Sequence, residues 1–170
     1  MRTRRALGRL CALLVLATAA GLASAPASAQ APLQDLSSFP VLVGPPLPDG
    51  AWDGVPTVVV FWAVDCAYCK RHNARIAQLQ AAVDPQRLRV LGVLEGGDVE
   101  AARQEVARRG WRFPVVIDDG RLRPRFTLRR MVPMTCLLTA DGRLHQCIPG
   151  EMSEADVMEL AQTRWAGPAR

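Results

Sequence analysis

The sequence has no internal repeat and no break in composition that marks a second folded unit, so its 170 residues leave room for one domain with a sizeable core. Lysine is nearly absent, with Lys70 alone among 21 basic residues, and there are only two histidines. No apolar run reaches the roughly 20 residues that a helix needs to cross a bilayer. The longest, Leu10 to Ala23, stops at about 14.

That run sits in a recognisable order. Arg2, Arg4, Arg5 and Arg9 surround its start, and Ala27-Ser28-Ala29 follows as a small-x-small cleavage site before Gln30. Basic, apolar and small-residue regions in this order predict a cleavable secretory signal peptide over 1–29, and with it a periplasmic location. A retained membrane anchor is the alternative, and the shortness of the run counts against it. Residues 1–29 hold four arginines and no acid, so their removal lowers the formal charge from +5 to +1, 17 basic against 16 acidic. A nearly neutral exported chain is not a nucleic-acid binder. One basic run remains, with Arg121, Arg123, Arg125, Arg129 and Arg130 inside ten residues. It reads either as a solvated face or as a docking patch for an acidic partner or an anionic membrane surface.

Residues 30–50 are rich in proline and glycine and read as a leading loop with at most a short strand around Val41; the domain proper is expected over 51–170. The β-branched and aromatic run 57–62 predicts a strand buried on both faces. A helix is expected over 66–83, ended by Pro85. A second buried strand follows over 88–94, then a helix from Asp98 as cap to Arg109, closed by Gly110. A third strand is expected over 113–117. Segment 121–131 is ambiguous, a short helix broken near Pro124. A hairpin over 135–139 and 144–148 turns at Asp141-Gly142, and Ser153 caps a last helix to about residue 164. Alternating strands and helices followed by a hairpin and a helix imply an α/β fold around a mixed sheet.

Four cysteines lie beyond the leader: Cys66, Cys69, Cys136 and Cys147. In an exported chain they are redox groups first. Zinc would require two more ligands at comparable spacing, and Cys136 and Cys147 do not supply them. Cys66-Ala67-Tyr68-Cys69 falls where a buried strand gives way to a helix. Unpaired backbone N–H groups and the positive end of the helix dipole there stabilise a thiolate. The first cysteine should be exposed and nucleophilic, the second more buried and resolving.

The segment 59–71, Val-Val-Phe-Trp-Ala-Val-Asp-Cys-Ala-Tyr-Cys-Lys-Arg, resembles the active-site strand and helix of the TlpA/ResA-like thioredoxins. Val132-Pro133-Met134-Thr135 resembles their cis-proline loop, and Phe113-Pro114-Val115-Val116-Ile117-Asp118 their inserted strand. The forty positions between Val93 and Pro133 leave room for an inserted helix and strand, and the likeness covers roughly residues 55–160. It implies a thioredoxin-like fold and a thiol–disulfide oxidoreductase of the reductase type. It makes Cys66 the attacking thiol, Cys69 the resolving thiol and Pro133 the cis-proline facing them, the alternative for Pro133 being an ordinary trans turn. Its implied partners are protein disulfides or dithiols and a membrane or soluble protein that recharges the dithiol; no cofactor or metal is implied.

The sequence departs from the family in three places, and Asp65 bears on the same thiols. His72 stands where many relatives carry glutamate. As a cation it would favour thiolates, when neutral it could move a proton, and it can equally be a packing residue. Asp65 either caps the helix or raises the Cys66 thiol pKa. Ala67-Tyr68 replaces the proline-containing pair of reducing relatives. Cys136 and Cys147 face each other if Asp141-Gly142 is a two-residue turn, and point to opposite faces if a bulge at Gly142 shifts the register. A copper-binding assembly factor is the rival function, with the dithiol, Met131, Met134 and His145 as available ligands. No peroxidatic Pro-x-x-x-Thr-x-x-Cys segment is present.

Overall fold

The computed structural model describes residues 36, 38–47, 50, 54–162 and 164–167. The signal peptide expected over 1–29 lies outside the described residues. Six strands form one mixed sheet. The apolar run makes β2 (Thr57–Trp62), every residue of which is buried. Parallel to it runs β3 (Arg89–Glu95), and parallel to β3 runs β4 (Val115–Asp118). On the other side β5 (Met134–Leu138) and β6 (Leu144–Pro149) continue antiparallel, and β1 (Val41–Val43) pairs antiparallel with β4. The order is β1-β4-β3-β2-β5-β6, which places β2 near the centre and β6 at an edge.

Helices α1 (Ala67–Ala82) and α2 (Val99–Arg109) connect β2 to β3 and β3 to β4, and α3 (Glu154–Glu159) follows β6. Asp98 caps α2 by accepting from the N–H groups of Glu100 and Ala101 at 2.8 and 3.1 Å, and Gly110 closes it at φ 66°. Ser153 caps α3, accepting from Asp156 N–H at 3.2 Å. Two elements differ from the sequence expectation. β4 begins at Val115 and not at residue 113, because Pro114 has no N–H to give and only its carbonyl pairs, with Gly92 N–H at 2.8 Å. α3 ends at Glu159 and not near 164; the chain goes on as 3₁₀ turns Leu160–Gln162 and Arg164–Ala166, folded back so that Trp165 Nε1–H donates to Leu160 O at 3.3 Å. The ambiguous segment around Pro124 contains the short 3₁₀ turn Arg123–Arg125.

Alternation along β2 separates two apolar cores. Val58, Val60 and Trp62 face Ile76 and Leu79 of α1, Val106 of α2 and Val157 of α3, so all three helices share one side. Val59 and Phe61 face Leu36 and Phe39 of the leading segment and Leu122 and Phe126 beside the 3₁₀ turn. Irregular chain covers that second side. Gly92 in β3 permits the first core to close, since a Cβ there would lie 3.0 Å from Phe113 Cε2 and from Val115 Cγ2.

Candidate active site

The strand-to-helix junction at the C-terminal end of β2 carries the dithiol. Cys66 is itself the cap of α1, and its Sγ accepts from Cys69 N–H at 3.1 Å. Asp65 is exposed beside it and does not cap. Cys66 and Cys69 are disulfide-bonded with their Cα atoms 5.2 Å apart. Cys66 is part-exposed and Cys69 fully buried. The N–H that reaches Cys66 Sγ, together with the helix N-terminus, stabilises negative charge on that sulfur once the bond opens. Opposite lies the Val132-Pro133 peptide bond, which is cis. Cys66 Sγ is 3.8 Å from Val132 O.

His72 lies one turn beyond Cys69 and is fully buried. Its Nδ1 accepts from Met152 N–H at 3.3 Å, so its Nε2 carries the proton and donates to Thr135 Oγ1 at 2.8 Å. Burial, helped by the nearby Arg75 cation, lowers its pKa to about 4. At neutral pH the ring is uncharged, with both nitrogens engaged. It ties α1 to β5, just past the cis-proline, and to the loop after β6. Arg75 reinforces that contact, donating to Met152 O at 2.7 Å and to Glu151 at 2.6 Å, while Arg71 pairs with Glu151 at 2.8 Å. Gly150 N–H closes the loop on Pro133 O at 2.9 Å.

The second cysteine pair is also a disulfide. Cys136 and Cys147 are direct cross-strand partners with Cα atoms 4.0 Å apart, the close spacing of a non-hydrogen-bonded pair. Both register alternatives contribute. The turn does slip the pairing by one, as Gly142 takes φ 75° and Leu138 pairs with Leu144. His145 is then an extra residue on β6, so Leu137 pairs with Gln146 and the cysteines meet. They pack in the second core, on the side of the sheet away from α1.

Of the rival copper ligands, His145 is not brought to the dithiol. His145 sits at the turn end of the hairpin against Trp165, ring centroids 6.4 Å apart. Met134 is buried in the second core and Met131 is exposed. Among the described residues no group of three or more His, Cys, Asp and Glu could hold a metal ion. Two residues escaped the sequence reading. Asn73 is fully buried one turn from Cys69, its amide unpartnered among the described residues; its i+4 spacing from Cys69 was the available signal. Arg123, read as part of a basic run, is 3% exposed in its side chain.

A strand–dithiol–helix junction facing a cis-proline on this mixed sheet defines a thioredoxin-fold thiol–disulfide oxidoreductase. The chain belongs to the AhpC/TSA family, whose model matches residues 48–146. It is similar to a secreted Mycobacterium tuberculosis disulfide oxidoreductase homologous to E. coli DsbE, at 25% identity over 74% of this chain and 93% of that one, TM-score 0.63. A thiol-disulfide isomerase from Corynebacterium glutamicum shares the fold at 20% identity, 82% and 98% coverage and TM-score 0.67. StoA from Bacillus subtilis does so at 20% identity, 63% and 82% coverage and TM-score 0.57. These neighbours agree with the likeness to TlpA/ResA-like thioredoxins. Among curated proteins none matches this sequence.

Proposed function

We propose that this chain is an exported, reductase-type thiol–disulfide oxidoreductase acting on other proteins. The observation that carries the reading is the part-exposed Cys66, its sulfur held by Cys69 N–H at 3.1 Å and lying 3.8 Å from the backbone of Val132. In the reduced protein the Cys66 thiolate attacks one sulfur of a substrate disulfide and expels the other as a thiolate. The mixed disulfide is then resolved when the Cys69 thiolate attacks Cys66 Sγ and the second substrate sulfur leaves. Two electrons pass to the substrate, and a membrane or soluble dithiol protein returns them to the Cys66–Cys69 bond. Pro133 turns the Val132 N–H and C=O toward an extended substrate segment, which pairs with them as an added strand.

His72 serves as a positioning residue in this scheme. Uncharged and bonded at both nitrogens, it fixes the turn bearing Cys69 against the strand that leaves Pro133. Export is supported by the order of basic, apolar and small residues over 1–29 and by the secreted M. tuberculosis neighbour.

Replacing Cys66 by alanine tests the reading. Insulin disulfide reduction should fall to the uncatalysed rate, and turnover that survives unchanged overturns the mechanism. Direction follows from the equilibrium of the Cys66–Cys69 couple with glutathione: a potential near about −270 mV supports a reductase, and one near about −120 mV makes the protein an oxidant.

A further inference from the structure

We propose that segment 127–131, fastened by the buried Arg123, is a docking loop for an extended protein segment that carries acidic and apolar side chains beside its cysteine. The proposal rests on the oxidoreductase reading and names the substrate class of the same site.

The loop is held from below. Arg123 Nε and Nη2 donate to Arg129 O at 2.9 and 2.6 Å, and Nη2 also donates to Met131 O at 2.7 Å. Nη1 pairs with Glu95 Oε2 at 2.8 Å, and the guanidinium lies 4.6 Å from the Phe61 ring centroid. Asp118 fixes the start of this turn, accepting from the N–H groups of Leu122 and Arg123 at 2.9 Å each. A buried fork that spends its donors on two carbonyls of one loop sets that loop's shape. The next residue is Val132, whose carbonyl touches Cys66 Sγ.

What the loop displays is apolar and basic. Leu128 is 84% exposed and Met131 51%, and across the dithiol Tyr68 is 62% exposed. They are three of the four large exposed apolar side chains among the described residues, which makes their association with the site informative. Arg129 and Arg130 are exposed, and neither forms an ion pair within 4 Å among the described residues. Glu95 pairs with Arg123 and also feels the Arg130 charge, and Asp118 accepts from backbone N–H groups; Arg129 and Arg130 outnumber the exposed carboxylate beside the dithiol, Asp65. An incoming segment with carboxylates within a few residues of its cysteine meets those guanidinium groups, and its apolar side chains meet Met131 and Tyr68.

The test uses the full-length reduced protein and three disulfides: a cystine peptide with acidic and apolar flanks, its counterpart with basic flanks, and neutral hydroxyethyl disulfide. At low salt the acidic peptide should be reduced with a kcat/KM about tenfold above the basic one. At about 1 M salt, where the screening length falls to ~3 Å, the ratio should drop below about two. Arg129→Glu with Arg130→Glu should invert the ratio, and Arg129→Gln with Arg130→Gln should bring it near one if the reversal does not fold. Arg123→Gln should shrink it through a higher KM for the acidic peptide with little change in kcat, and Arg123→Lys should recover part of it. Equal rates on both peptides, a preference that salt leaves intact, or a preference that survives both arginine replacements overturns the docking loop. Failure to reduce even hydroxyethyl disulfide overturns the oxidoreductase reading itself, and the docking loop with it.

Discussion

Among the described residues two disulfides sit in opposite surroundings. Cys66–Cys69 spans three positions at a helix start, with one sulfur part-exposed, a backbone N–H on that sulfur and the carbonyl of Val132, which precedes the cis-proline, nearby. Cys136–Cys147 spans 11 positions, joins the edge strand β6 to β5, and packs among Phe61, Phe126 and Met134. The bond is the same. What differs is the reach of an attacking thiolate and the means of stabilising the thiolate that leaves. One site offers donors and an open approach; the other offers apolar packing.

The sharpest way to break this contrast is to open each pair separately. Cys69→Ala should lower insulin turnover at least about a hundredfold, because the covalent intermediate loses its resolving thiol. It should also accumulate a mixed disulfide on Cys66, visible as a shifted band on a non-reducing gel. Cys136→Ala with Cys147→Ala should keep turnover within about twofold while lowering stability by about 3 kcal/mol, the loop-closure value for this separation, read from the urea midpoint. A second pair that matters as much to turnover as the first would erase the distinction.

Much of this was readable in the chain. The continuous apolar run of β2, the Asp98 and Gly110 caps and the C-x-x-C at a strand–helix junction each depend on local chemistry, so residue order is enough to place them. Non-local contacts were harder. The pairing of Cys136 with Cys147 depends on two irregularities that cancel: a left-handed Gly142, one of the two alternatives the sequence leaves open, and an extra His145, which is not visible without the partner strand. Arg123 looked like one more surface charge, because only the folded sheet sets Glu95 and the carbonyls of residues 129 and 131 around it. Cys66 replaced Asp65 as the helix cap for a related reason: a thiol rarely caps, and only the junction's geometry aims it at Cys69 N–H.

A smaller effect probes the elements that hold the active pair in place. The folded pKa of His72, about 4, lies below its ordinary 6.5. Between those values the unfolded chain binds more protons than the folded one, so stability rises with pH across the window. The contribution is complete above pH 6.5 and is lost as pH falls toward 4, a change of about 3 kcal/mol between pH 7 and 4. His72→Gln cannot titrate, and its unfolding free energy should vary less with pH by about that amount between pH 7 and 4. Parallel curves for the two proteins would show that His72 does not lock the two elements in its neutral form.

The smallest effect concerns how the second pair is brought into register. Gly142 sits at φ 75°, its N–H donating to Thr139 O at 2.9 Å while Thr139 N–H donates to Arg143 O at 2.9 Å. A side chain at that φ meets its own carbonyl, so Gly142→Ala should lower stability by about 1 kcal/mol, whereas asparagine, which tolerates the left-handed region, should lower it less. Because His145 is the extra residue, deleting it should have a different consequence from straining the turn: the bulge goes, Leu137 stays opposite Gln146 and Cys136 opposite Cys147, and neither thiol should react with a maleimide in the unfolded, non-reduced protein. Equal urea midpoints for the alanine and asparagine variants would mean that the turn does not need a left-handed residue. The cysteines would then be aligned by the strands alone, and the second disulfide would owe its position to the sheet in the way the first owes its position to the helix.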